Sequence, residues 1–379
     1  MALCCARRVA DCDTPPFDRR FRLRHIGIMT DATHPLSSEL PASKAERARS
    51  AVASWLFFSA FMVASMIVIG GITRLTESGL SMVEWRPLVG WIPPLSDAEW
   101  QRVFDIYKAT PEYQTVNFWM SIDDFKTIFF WEYVHRVWGR LIGIVFAVPF
   151  LFFLLTGRIE RSLVPRLVLL FVLGGIQGAI GWWMVTSGLV DEARVSPYRL
   201  AVHLSMAFLI LGLLLWTALG LVQKPSGGTR GQCIGAGHVL AAISITVVLG
   251  AFVAGTDAGY AYNTFPLMGG QFVPAEYWNP DLGWRSLVEH VPAVQFHHRW
   301  IAILTALLTL VFVARHRNAL AGTGRLALTL LGAVVLVQVG LGIAALLAAV
   351  PVWLGALHQA GAVALFSVAV WSRYTLRAA

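Results

Sequence analysis

Four histidines, His135, His203, His298 and His358, stand near matching ends of four apolar segments. An ionisable side chain inside a lipid-embedded helix is costly and marks a functional site by default, so four at one depth need a common cause. Imidazole is a common iron donor, and a haem iron takes one axial ligand on each face. Two pairs of imidazoles therefore point to two haems, one between His135 and His203 and one between His298 and His358. Taken singly, each histidine has a plainer use as a hydrogen-bonding partner of a neighbouring helix. Repetition of the whole set favours ligation, and two imidazoles leave too few donors for a closed zinc site.

Other side chains qualify that chemistry. Glu132 lies three residues before His135, on the same helix face. Its counterpart before His298 is Gln295, which cannot exchange a proton. One reading makes Glu132 an acid/base group at an oxidation site; the other makes it an interfacial partner of Arg136 or Arg74. Arg74, Arg136, Arg140 and Arg299 fall near the same rim, where haem propionates need cations and where snorkelling to water would also put them. Gln177 and Gln338 read as helix–helix glue. His297 points about 100° away from its neighbour His298 around the helix. His25, His34, His290 and His316 read as solvated, and His238 as structural.

The elements that must carry these residues are membrane helices. The chain has 379 residues, 56% hydrophobic and 14% charged, with a mean hydropathy of +0.63. A span needs roughly 20 largely apolar residues, and eight stretches qualify: 51–71, 133–156, 167–186, 200–222, 233–254, 293–314, 326–349 and 352–371. All should be helical, because an open sheet cannot satisfy its backbone in lipid. The fold class is an all-α membrane protein.

The eight spans form a repeat. Glu132-Tyr-Val-His135-Arg136 matches Gln295-Phe-His-His298-Arg299, Gln177-Gly-Ala-Ile-Gly181 matches Gln338-Val-Gly-Leu-Gly342, and Val202-His203-Leu matches Leu357-His358-Gln. After the first span, Gly70-Gly71-Ile-Thr-Arg74 pairs with Ala254-Gly255-Thr-Asp257, and the Pro87 to Pro93 stretch pairs with Phe265 to Pro274. Each half has an even number of spans, so the copies run in the same sense across the bilayer. The expectation is two tandem, pseudo-symmetric four-helix bundles, each hosting a cofactor: a tail over 1–50, an N-terminal bundle over 51–224, a flexible linker over 225–231 and a C-terminal bundle over 232–379.

Arg158, Arg161, Arg166, Lys224, Arg230, Arg315, Arg317, Arg325, Arg373 and Arg377 cluster at one set of helix ends, with Asp191, Glu192, Asp257, Glu276, Asp281 and Glu289 at the other. The positive-inside rule puts both termini in the cytoplasm. Topology and anionic lipid account for the net charge of +8, so nucleic acid is excluded as a partner. No cleavable secretory signal precedes Ala51, and Asp11, Asp13 and Asp18 oppose reading the Arg-rich tail as a mitochondrial transit peptide. Cys4, Cys5, Cys12 and Cys233 all fall on the cytoplasmic side, leaving no disulfide for the outer loops.

Four segments, Gly70-Gly-Ile-Thr-Arg-Leu-Thr-Glu-Ser-Gly-Leu-Ser81, Glu132-Tyr-Val-His-Arg-Val-Trp-Gly139, Gln295-Phe-His-His-Arg299 and Leu357-His-Gln-Ala-Gly361, resemble the haem A synthase family, with the likeness running from Trp55 to Trp371. The resemblance implies an oxidoreductase of the cell inner membrane that oxidises the C8 methyl of haem O, through successive hydroxylations and loss of water, to the formyl of haem A. It implies that His135 and His203 bind the haem substrate, with Glu132 required for chemistry; the rim position of Arg74, Arg136 and Arg140 makes them the expected cations for that substrate. His298 and His358, with Arg299, would hold an electron-relaying haem b. Lacking cysteines in the first outer loop, the chain resembles the cysteine-free proteobacterial and mitochondrial branch, so the mitochondrial inner membrane is the alternative address. The expected partners are the bilayer, the haem O synthase (a protohaem farnesyltransferase) and a second copy of the chain. Two other functions fit the residues alone: a di-haem quinol-linked cytochrome and a parallel-repeat transporter.

Overall fold

The computed structural model describes residues 43–84, 90–190 and 193–377. Trp85, Pro87, Asp191, Glu192 and the tail with His25, His34 and three cysteines lie outside the described residues. Among the described residues eleven α-helices follow in order: α1 (Lys44–Leu75), α2 (Asp97–Lys108), α3 (Pro111–Thr115), α4 (Ile122–Leu155), α5 (Val164–Val190), α6 (Pro197–Val222), α7 (Arg230–Gly255), α8 (Ser286–Glu289), α9 (Val291–His316), α10 (Gly322–Leu347) and α11 (Val352–Thr375). All but α2, α3 and α8 are long and apolar enough to cross a membrane, and they coincide with the eight expected spans. The protein is an integral membrane protein built from helices.

Helix ends follow local chemistry. Ser43 with Glu46, Ser121 with Asp124 and Thr229 with Gln232 form capping boxes that start α1, α4 and α7. Those first two signals move the boundaries outward: α1 begins at Lys44, inside the stretch expected to be tail, and α4 begins at Ile122 rather than Tyr133. Hydropathy alone cannot see the polar turns of a helix that projects beyond lipid. At the other end of α1 the C-cap is Thr76, followed by Glu77 at φ 51; α7 ends on Thr256, followed by Asp257 at φ 58. These matching left-handed turns shift the repeat register, so Gly70 corresponds to Gly250 and not to Ala254.

Pro149 lies inside α4 and cannot donate to the carbonyl four residues back. Trp55 of α1 supplies the missing donor, its Nε1 reaching Val145 O at 2.8 Å. Nearer the start of α1, Arg49 donates to Leu221 O at 2.9 Å and Gly220 O at 3.1 Å, satisfying terminal carbonyls of α6.

Helix α1 packs on α4, α6 and α11, while α7 packs on α9, α11 and α6. Helices α5 and α10 lie outside, against α6 and against α9 and α11. The main apolar core, with Leu56, Leu211, Leu214, Leu328 and Leu331 essentially inaccessible, runs between these helices. A second, aromatic core of Phe104, Tyr107, Phe125 and Phe129 joins α2 to the projecting turns of α4 and forms a cap on the histidine side. The linker is held rather than loose: Ser226 N donates to Thr375 O at 2.9 Å, and Gln223 bonds both Thr375 Oγ1 and Trp371 Nε1 at 2.8 Å. Glycine and serine supplied turns there, and contacts with the end of α11 removed the freedom expected of them.

Candidate functional site

His203, His298 and His358 sit in the second turn of α6, α9 and α11, whereas His135 lies nearly four turns into α4 because that helix extends beyond the bilayer. All four imidazoles are half-buried among the helices. Each lies against a glycine of the adjacent helix. A β-carbon added to Gly70 would stand 3.3 Å from His135 Nε2, and one on Gly250 would stand 3.1 Å from His298 Cε1. The corresponding separations are 3.0 Å from Gly181 to His203 Cε1 and 2.8 Å from Gly342 to His358 Cε1. The α1–α4 contact therefore recurs as α7–α9, and α5–α6 as α10–α11. A glutamine one turn before the second glycine adds a further match: Gln177 Nε2 donates to His203 O at 3.1 Å, and Gln338 Nε2 to His358 O at 3.0 Å.

The Nδ1 atoms of His203, His298 and His358 are buried without a hydrogen-bond partner among the described residues. A buried imidazole nitrogen left unpaired is costly, and imidazoles set among apolar helices are suited to an iron held in a large apolar macrocycle. On donor type and cradle, the residues fit haem.

Glu132, 3% exposed, is held from four directions. Ser81 Oγ and Met82 N donate to its Oε2, each at 2.7 Å, and Arg136 donates to its Oε1 through Nε at 3.0 Å and Nη2 at 2.6 Å. Arg136 continues to Met82 O at 2.6 Å and Glu84 O at 3.1 Å. Of the two partners offered by the plainer reading, Arg136 and Arg74, it is Arg136 that pairs with Glu132, and the pair fastens the loop after α1 onto α4. The second half builds the same clamp with opposite polarity. Gln295 Nε2 donates to Ala258 O at 2.8 Å and also to Ala261 O, while its Oε1 accepts from Arg299 at 3.2 Å. Arg299 in turn donates to Pro266 O, Leu267 O and Tyr262 O. A carboxylate at 295 would confront two carbonyl oxygens, so the loop's backbone accounts for the amide there.

The remaining arginines have protein partners. Arg74 pairs with Asp257 at 2.8 Å, tying the end of α1 to the end of α7, and Arg194 joins Asp257 at 3.3 Å. Arg140 donates to Gly90 O at 3.2 Å and lies 5.6 Å from the Trp91 ring centre. His297 is turned away as expected, bonded to Tyr277 Oη at 2.8 Å and Leu287 O at 3.1 Å. A cavity of about 390 Å³ opens beside the first clamp, bordered by Ser81, Met82, Tyr133, Arg136 and Arg140. None of the four histidines lines it. The sequence reading missed the four glycines, Ser81 and a buried carboxyl, Glu112, in the aromatic cap. Gly181 and Gly342 were visible as part of a matched Gln-x-x-x-Gly pair; Gly250 was hidden by the misplaced register.

Residues 53–370 match the family model described as cytochrome oxidase assembly protein, COX15-CtaA. A heme A synthase of Rhodospirillum centenum is 48% identical over 349 residues, covering 90% of this chain and 92% of that protein. The heme A synthase of Parvibaculum lavamentivorans is 48% identical, with 88% and 96% covered, and that of Paracoccus denitrificans 45%, with 87% and 89% covered. By a match spanning nearly all its membrane helices, the chain belongs to the COX15-CtaA family of cytochrome oxidase assembly proteins.

Proposed function

We propose that the protein is a haem A synthase, an oxidoreductase that converts the C8 methyl of haem O to the formyl of haem A by successive hydroxylations. The observation that supports this most directly is the duplicated histidine–glycine cradle inside a chain so similar to heme A synthases. In this reading 51–224 and 232–379 are tandem bundles, and the recurrence of the α1–α4, α1–α6 and α5–α6 packing as α7–α9, α7–α11 and α10–α11 supports that division. His135 and His203 hold the haem substrate. His298 and His358 hold haem b, which when bound supplies a one-electron relay.

The chain's own residues then do three things. The glycines fix the imidazole planes. The Glu132–Arg136 clamp holds the Ser81–Met82 segment against α4 one turn before His135, and in this reading the carboxyl handles protons as the methyl group is oxidised. Arg299 carries a buried positive charge whose Nε lacks a partner among the described residues, a position suited to a propionate of the second haem. Arg74, Arg136 and Arg140 give the first half its positive rim. The proposed setting is the cell inner membrane with both termini cytoplasmic, where haem O synthase would hand over the substrate.

The test is mass analysis of haem extracted from the protein expressed with and without a haem O supply. Molecules at the methyl, hydroxymethyl and formyl states are expected only with that supply. Two unmodified haems under both conditions would identify a fixed di-haem cytochrome, and a colourless protein would identify a transporter or a structural factor.

A further inference from the structure

Two cations at the end of the molecule opposite the histidines are left unused by the function above. Arg373 lies in the last turn of α11 and Arg377 just beyond it. The Arg373 guanidinium makes no hydrogen bond and no ion pair among the described residues, and its Nη1 is buried. Its side chain crosses α7 at Gly237, where a notional β-carbon would stand 3.5 Å from Nε, and reaches α6, with the guanidinium 6.0 Å from the Trp216 ring centre. Arg377 comes to 5.9 Å from the same ring centre and donates through Nη2 to Tyr374 Oη at 3.0 Å. That hydroxyl donates in turn to Gln223 O at 2.9 Å, so the pair is backed by the pinned linker.

Two guanidiniums therefore share one indole, and among the described residues neither has a carboxylate partner. Like charges four residues apart on a helix repel, and a buried donor left unmade is costly. The ring quadrupole offsets part of that cost, but neutralising the charge takes an anion. The acids at this end are already engaged, Glu46 in the cap of α1 and Glu160 with Arg49. Basic residues in a last turn also serve as caps for terminal carbonyls. Arg49 does so for α6, whereas neither Arg373 nor Arg377 donates to a backbone carbonyl. Snorkelling to water leaves a cation without a partner too, yet it does not bury one of the nitrogens.

We propose that Arg373, Arg377 and Trp216 form a binding site for a phosphate group where α6, α7 and α11 meet. A guanidinium matches phosphate geometrically as well as in charge. Basic pockets between membrane helices on the cytoplasmic side take the headgroups of anionic phospholipids. Trp216 is less than two turns from the end of α6 and Arg373 one turn from the end of α11, the level at which such headgroups lie. Because α6 precedes the linker and α7 and α11 follow it, a phosphate bound there ties the two halves together, as Arg74–Asp257 does at the other end.

The experiment uses the purified full chain in an uncharged sugar detergent, with native mass spectrometry counting bound phospholipid. Phosphatidylglycerol, phosphatidylcholine and inorganic phosphate are the added probes. The wild type should hold a phosphatidylglycerol about tenfold more tightly than a phosphatidylcholine. Arg373→Gln/Arg377→Gln should abolish that preference, whereas Arg158→Gln/Arg161→Gln, which removes two exposed arginines at the same end, should change it by about twofold or less. Displacement of the lipid by inorganic phosphate would assign the site to a soluble phosphate, and resistance to displacement would assign it to the headgroup; both uphold a phosphate site. A wild type that holds the two lipids equally and is unaffected by phosphate overturns the proposal, with no variant needed. Equal losses in the two double variants also overturn it, by reducing the preference to diffuse surface charge. Neither result bears on the haem A synthase reading.

Discussion

At the scale of single residues, the site is a set of close approaches. Gly342 leaves the least room of the four cradles, 2.8 Å from a notional β-carbon to His358, and Gly70 the most, 3.3 Å to His135. Gly342→Ala must displace the His358 ring by several tenths of an ångström, so the haem content of the C-terminal half should fall about tenfold, read as Soret absorbance per protein. Gly70→Ala should cost about twofold or less. Glu132→Gln should keep both haems while substrate or alcohol intermediate accumulates; unchanged haem A output would remove Glu132 from the chemistry. The variant also tests the clamp, since an amide cannot accept from Arg136 and from the Ser81–Met82 pair at once. The histidines, Glu132 and its arginine partner were legible from residue type and i, i+3 or i, i+4 spacing. The glycines were not, because a cradle is defined by what the neighbouring helix brings to it.

At the scale of elements, α4 shows how a local defect is repaired from a distance. Pro149 frees the Val145 carbonyl, and Trp55 of α1 bonds it. Trp55→Phe should therefore destabilise the protein by about 1–3 kcal/mol by leaving that carbonyl unsatisfied. Pro149→Ala in the same background should recover much of the loss by restoring the helical donor, as a double-mutant cycle of thermal unfolding would show. In the cap formed with α2 and α3, Glu112 gives a pH effect of definite sign. Its carboxyl rises from the ordinary 4.5 to about 8 on folding, so the folded chain binds that proton more tightly. The resulting stabilisation is complete below the ordinary value and is lost progressively as pH climbs to about 8. The wild-type unfolding midpoint should drop between about pH 5 and about pH 8 by more than that of Glu112→Gln. The cap itself escaped the sequence reading: α2 and the first turns of α4 are too polar for a hydropathy window, although Ser96, Ser121 and their acidic neighbours carried ordinary helix-start signals.

At the scale of the whole molecule, the two halves share α1, α6, α7 and α11 as one packed interior, and Arg74–Asp257 ties their ends on the histidine side. That pair is partly exposed, so Asp257→Asn should cost only about 0.5–1 kcal/mol, and a double-mutant cycle with Arg74→Gln would isolate the interaction. Hydrophobic run length was enough to give eight helices, because lipid offers the backbone no other partner. Repetition was enough to mark four histidines, because a duplicated set of costly polar groups has few structural excuses. What required the tertiary structure was everything set by partners distant in sequence. The loop backbone offers donors to Glu132 but acceptors to Gln295; the linker is pinned to the end of α11; and Glu112 is closed into an aromatic cap. Helix periodicity fixes which residues share a face, but the hydrogen-bond polarity and burial of that face belong to whatever folds against it.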